Sequence, residues 1–317
     1  MNHSVALVVE KRFMKLLPYL FLMIPVSICL LYSQSEIDPE PKTSSNNYWS
    51  DGKAEIASYD LMQYRYGELR QGELVQVMVP EDFLIDKQVK NESNKRNHSA
   101  RVLKRIEIRQ FNTGIYQYNM STSIFTPFDR DRHGKSIKLS ASSQEWCGST
   151  YAQFNKKGVN YKSILHSYFE KEADQNTRIK NALLEEEFFT LIRINPEDLP
   201  LGNMQLIPSQ VVSRFLHLPL RAYSAVVSVG EYSGGDFNST DLKYLGIEYP
   251  ELQRNLTIVY KSGAPHIIHG WTDSYPSPFT GEMQSSKAIL KTHIKEPYWK
   301  LNGVSDAEWR GTLGLDE

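Results

Sequence analysis

The sequence predicts a mainly β (α+β) fold, a curved antiparallel sheet or half-barrel with one amphipathic helix packed on or in it. Three observations predict it. Aromatic residues form 11% of the chain, with 18 Tyr and 13 Phe, and strands accept such side chains readily. Runs of period two recur from Tyr48 onward, punctuated by turn residues. One segment alone carries a convincing helical period.

The β-rich region follows an apolar N-terminus. Lys11, Arg12 and Lys15 precede the uncharged run Leu16–Ser33, the order of an export signal. Three fates are open: acylation at Cys29 in the box Val26–Cys29, cleavage after Ser35, or retention as an uncleaved anchor. The organisation expected is a signal or membrane anchor over 1–35, a flexible tether over 36–47, and a single β-rich domain over 48–317. The chain is then exported, periplasmic or outer-membrane-associated, and its membrane partner is reached through the N-terminal segment.

Within the domain, Lys53–Gly67 reads as a long strand with a bulge, placing Arg65 opposite Tyr64 and Tyr66. In Glu73–Val79, Val75, Val77 and Val79 form the apolar face. Residues 86–105 are polar and basic and read as a solvated hairpin loop. Further strands are expected at 103–111, 114–125, 136–143, 149–155, 161–169, 221–229, 252–260, 265–275 and 286–294. The helix spans 181–194, capped by Asn181, with Leu184, Phe188, Leu191 and Ile192 on one face. Glu185, Glu186 and Glu187 are expected on its solvated side. The only candidate linker is Pro200–Asn203.

Net charge is −1, which gives no electrostatic case for nucleic acid. With two cysteines, Cys29 and Cys147, there is no disulfide framework. No cofactor or metal is expected. His266 and His269 are three apart and fall on opposite faces of a strand, and Asp129–Gly134 lacks calcium-loop spacing. The densest chemistry lies in Ser143–Tyr151. Cys147 has no histidine at motif spacing, so it is expected to be buried and structural beside a packed Trp146. Trp146, Cys147 and Tyr151 are the candidate ligand-binding residues; no catalytic residue is assigned.

Residues 48–83, Phe111–Tyr116, Ser142–Gly148 and Arg193–Pro200 together resemble an uncharacterised family of envelope proteins from Bacteroidota, often lipoproteins. Members sometimes carry the label "septum formation inhibitor Maf", whose Ser-x-Ser-Pro-Arg-Arg motif this chain lacks. More loosely, the order of elements resembles periplasmic lipoprotein carriers and related lipid-binding half-barrels. The leading reading is a non-enzymatic envelope protein binding an apolar or amphiphilic ligand such as a lipid, since a curved sheet rich in Tyr and Phe can line an apolar groove. Two alternatives stand beside it: an assembly or interaction lipoprotein without a small ligand, and a hydrolase or transferase using Cys147.

Overall fold

The computed structural model describes residues 46–93, 98–237 and 239–315. Cys29, the leader and most of the tether lie outside the described residues.

Sixteen strands are found among the described residues, in one sheet. They are β1 (Ala54–Arg65), β2 (Glu68–Leu84), β3 (Val89–Lys90), β4 (Ser99–Thr113), β5 (Tyr116–Pro127), β6 (Lys138–Glu145), β7 (Gly148–Lys157) and β8 (Asn160–Ser167). The chain continues with β9 (Gln175–Lys180), β10 (Leu183–Leu184), β11 (Gly202–Ile207), β12 (Tyr223–Glu231), β13 (Leu242–Tyr249), β14 (Arg254–Lys261), β15 (Ile268–Pro276) and β16 (Met283–Glu296). The helical segments used below are α1 (Asn46–Trp49), α2 (Arg130–His133), α3 (Glu187–Ile194), α4 (Gln210–Leu216) and α5 (Trp309–Thr312).

The strand order is β10-β11-β12-β13-β14-β15-β16-β1-β2-β4-β5-β6-β7-β8-β9, with β3 paired to β2. Every pair is antiparallel except β10 with β11. The sheet is large, curved and unclosed, because β9 and β10 end it without pairing to each other. The expected bulge in the first strand is present: the β1–β16 register shifts between Ser58 and Tyr59.

The interior reverses part of the sequence expectation. On β4 the inward residues are Arg105, Glu107 and Arg109, while Ile106 and Ile108 face outward. On β2 Leu74, Gln76, Met78, Val79 and Phe83 are buried, and Val75 and Val77 are half-buried. Of the expected apolar face, only Val79 is buried, so the face was placed on the wrong side over Val75–Val77. Period-two reading assigns apolar residues inward, but here the inner face is polar because the charges are paired inside. Residues 99–102, expected as loop, extend β4 ahead of the strand expected from 103, and Arg105 is fully buried.

α3 is shorter than expected and is not capped by Asn181. Asn181 has φ 41 and turns the chain between β9 and β10. Each of the eight residues of α3 is buried, including Glu187, Thr190 and Arg193. Glu185, Glu186 and Glu187 are thus buried rather than solvated. Arg254 and Tyr249 hold Glu185, and Arg130 and Ser136 N hold Glu187, while Glu186 keeps one oxygen without a partner among the described residues.

Around α3 the largest apolar cluster joins Phe188, Phe189, Leu191 and Ile192 to Leu74, Tyr118, Phe215 and Trp271 from strands and helix on several sides. A second cluster around Phe154, Tyr161 and Leu184 packs β6–β9. Gly202–Ile207, overlapping the candidate linker, is strand β11, and β13 and α4 are further elements that the periodicity missed.

Candidate functional site

The buried charges come in paired sets. Arg254 makes two bonds to Glu185, at 2.5 and 2.7 Å, and two to Asp273, at 2.7 and 2.9 Å. Tyr249 Oη donates to the same Glu185 at 2.6 Å. Glu107 pairs with Arg105 and, at 3.1 Å, with Arg109, which also bonds Gln63. Near α1, Arg193 pairs with Glu55, which also accepts from Tyr48 Oη at 2.5 Å and meets His293 Nε2 at 3.0 Å. Two-point contacts of this kind hold buried charges that would otherwise be costly.

A small cavity lies among Arg105, Arg109, Glu186, Phe189, Trp271 and Asp273, with a volume of about 30 Å³. Glu186 is the carboxylate there without a cation of its own. Its Oε1 accepts from Gln210 N at 2.8 Å, and Oε2 has no partner among the described residues. Burial first, and then the neighbouring Glu185 charge, push its pKa up to about 8.

The antiparallel order sends alternate turns to the same end of the sheet. The β1–β2, β4–β5, β6–β7, β8–β9 and β15–β16 turns all emerge together, with the β11–β12 connection that carries α4. This end carries Tyr66, Ile115, Trp146, Tyr168 and Phe279, all exposed; Ile115 is 85%, Tyr168 76% and Trp146 72% exposed. Tyr151 is exposed one face over on β7, and Trp299 lies at the opposite end.

The exposed rings at this end are linked through half-buried Tyr116 and buried Tyr118. Phe279 and Tyr66 rings are 5.1 Å apart, and Tyr66 Oη is 2.8 Å from Tyr118 Oη. Tyr116 stands 5.9 Å from Tyr118 and 6.3 Å from Trp146. Across the next turn, Tyr168 lies so close to Gly148 that a Cβ there would meet its Cδ1 at 2.6 Å. Beneath the rim, the buried Arg65 guanidinium sits 4.4 Å from the Tyr66 ring and 4.9 Å from that of Phe215, donating to Tyr118 Oη and Phe215 O, each at 3.2 Å. This cation holds the aromatic bases of the rim in place.

Comparison with known proteins adds little. No family model matches the chain, and no curated protein matches it. One solved structure, a β-barrel-like protein of domain of unknown function DUF1849 from Brucella abortus, is similar at 11% identity. It covers 76% of this chain and 97% of its own, with a TM-score of 0.46.

Trp146 and Cys147 form the tip of the β6–β7 hairpin. The expectation of a buried cysteine beside a packed tryptophan is corrected: both stand on the surface, because a two-residue turn has no room to hide a side chain. Cys147 N donates to Glu145 Oε2 at 2.6 Å. A hydrogen bond from the thiol to Glu145 and that carboxylate's charge push the thiol pKa up. Tyr151 Oη donates to Gln153 at 2.7 Å, on the outer face. The structure therefore brings Trp146 and Cys147 to the rim and leaves Tyr151 beside it. Tyr66, Ile115, Tyr168 and Phe279 were missed; turn positions carrying large apolar residues were the available signal.

Among the described residues, no group of three or more His, Cys, Asp or Glu could hold a metal. His266 precedes β15 with φ 58, and His269 lies on the strand. At the far end of the sheet, an open hollow of about 340 Å³ is lined by Trp49, Lys53, Glu81, Asp82, Arg101 and Trp299.

Proposed function

We propose that this chain is a non-enzymatic cell-envelope protein that meets an amphiphilic surface through its aromatic rim. The carrying observation is the set of exposed Phe, Tyr and Trp side chains on neighbouring turns at one end, joined underneath by Tyr116 and the buried Tyr118. Such rings place an apolar body and a polar tip at a lipid–water boundary, and an apolar patch left on a surface marks an interaction site. In this reading the lipid expected from the sequence contacts the rim and not the interior. Two interior cavities among the described residues hold about 30 Å³ each, while pockets for whole ligands run to roughly 300–1,000 Å³.

Export by the N-terminal segment, acylation of Cys29 and membership of the Bacteroidota envelope lipoproteins belong to the same proposal. Export and acylation rest on the order of basic residues, apolar run and cysteine, and the family on the resemblance of residues 48–83, Phe111–Tyr116, Ser142–Gly148 and Arg193–Pro200. The filled interior favours the second reading, an assembly or interaction lipoprotein whose rim meets a protein. The Cys147 hydrolase reading loses support, since a nucleophilic thiol needs a lowered pKa and Cys147 has a raised one.

Flotation with phosphatidylglycerol–phosphatidylethanolamine vesicles tests the proposal. The chain without residues 1–35 should float with vesicles. Trp146→Ser with Tyr168→Ser, both exposed and outside the core, should reduce partitioning by about tenfold or more. A wild-type protein that stays with the soluble fraction, or a variant that floats equally, would remove the lipid reading.

A further inference from the structure

α4 closes over the inner faces of β5–β8, and a hollow of about 30 Å³ remains between them. Its walls include the small residues Ala141, Ser143, Thr150 and Ala152. A space of this size admits one or two water-sized groups. The side chain of Arg214 enters it while only 5% exposed.

A guanidinium carries five N–H donors. Arg214 Nη2 donates to Glu145 Oε1 at 3.3 Å, and the Phe169 ring lies 3.8 Å from the guanidinium carbon. Its Nε and Nη1 find no acceptor among the described residues, and neither does the buried Ser143 hydroxyl find a partner. The neighbouring carboxylates do not meet this need. Glu145 Oε2 takes Cys147 N, while Glu172 accepts from Ser167 and meets His217 Nδ1 at 2.6 Å. Gln210, also on the wall, donates its amide to Pro208 O at 3.1 Å.

We propose that this hollow binds the carboxylate of an organic acid, held by Arg214 and Ser143. A planar two-oxygen group matches guanidinium donors, and its size suits the space. Met120, Leu165, Leu218 and Leu220 line the rest and leave room for a short carbon end only. The inference does not rest on the rim reading, and failure of vesicle flotation leaves it untouched.

Calorimetric titration of the chain without residues 1–35 tests it, using sodium acetate, sodium decanoate and inorganic phosphate as probes. Saturable one-to-one binding of acetate is expected, and decanoate, whose chain exceeds the hollow, should bind more weakly; decanoate binding tighter than acetate would overturn the short-acid proposal. Arg214→Lys should weaken binding about tenfold or more. Because that change disturbs the Glu145 pair, Ala152→Leu provides a second variant, filling the hollow with the pair intact, and Ser143→Ala a third. Their melting curves report folding. No saturable carboxylate binding by the wild type up to about 10 mM overturns the proposal. So does binding of phosphate alone, or undiminished binding by folded Ala152→Leu and Ser143→Ala proteins.

Discussion

Glu186 is held with burial and Glu185 both acting against its charge, so its pKa rises to about 8. The folded state then binds its proton more tightly than the unfolded chain, whose value is 4.5. Stability from this group is full below about 4.5 and falls as pH rises through about 8, by at most about 1.4 kcal/mol per pH unit. Glu186→Gln should flatten that slope, as urea unfolding between pH 5 and 9 would show; an unchanged slope means that the carboxylate is ionised. Glu55 behaves oppositely. Burial opposes its charge, but Arg193 and His293 outweigh it and bring its pKa to about 2. Its contribution is present above pH 4.5 and is lost as pH falls towards 2. Cys147 offers a third check. The Glu145 hydrogen bond and charge raise the thiol pKa, so iodoacetamide should react slowly at pH 7, despite full exposure of the turn. Glu145→Gln should speed alkylation, read by peptide mass spectrometry; no change would mean that Glu145 does not control the thiol.

Among the elements, α3 joins the largest apolar cluster to strands on several sides. Phe188→Ala removes a fully buried ring and should cost roughly 3–5 kcal/mol, lowering one melting transition for the whole sheet. Two calorimetric transitions, with one shifted, would show that the strands do not share this support. Gly270 has φ +149, and a Cβ there would meet Ala288 O at 2.1 Å and Phe237 at 2.3 Å. Gly270→Ala should therefore destabilise by more than about 2 kcal/mol, measurable by denaturant melts. The strands of the meander were legible because turn residues bracket them: Gly114 and Gly158 lie in the β4–β5 and β7–β8 turns with positive φ. The inner face of β4 was not legible. Arg105, Glu107 and Arg109 alternate with Ile106 and Ile108, and local sequence cannot show which set finds partners. The same holds for the Glu triplet, whose partners Arg254, Gln210 and Arg130 lie 24 or more residues away in sequence or on another element. The rim was half legible: Trp146 stood out by its dense surroundings, but its neighbours come from turns spread across the chain.

At the scale of the whole molecule, β1 lies between β2 and β16, so the first and last long strands of the sheet are hydrogen-bonded neighbours. The halves of the sheet meet at this seam, and the free edges β9 and β10 come from mid-chain. A chain ending at residue 282 lacks β16 and leaves β15 and β1 without their shared partner. It should show no cooperative thermal transition by circular dichroism; a truncated protein that melts sharply would show that β1–β9 fold alone. The seam also sets a schedule. A chain emerging from its N-terminus can zip β1, β2, β4 and β5 in turn, since each finds its neighbour nearby. The outer edge of β1 must wait for residues about 240 positions later, as Ala54 pairs with Glu296. Closing so distant a contact is slow, and an unpaired edge invites strands from other chains meanwhile. A molecule built this way gains from being held extended until its last strand has cleared the ribosome, which the export proposed above would require.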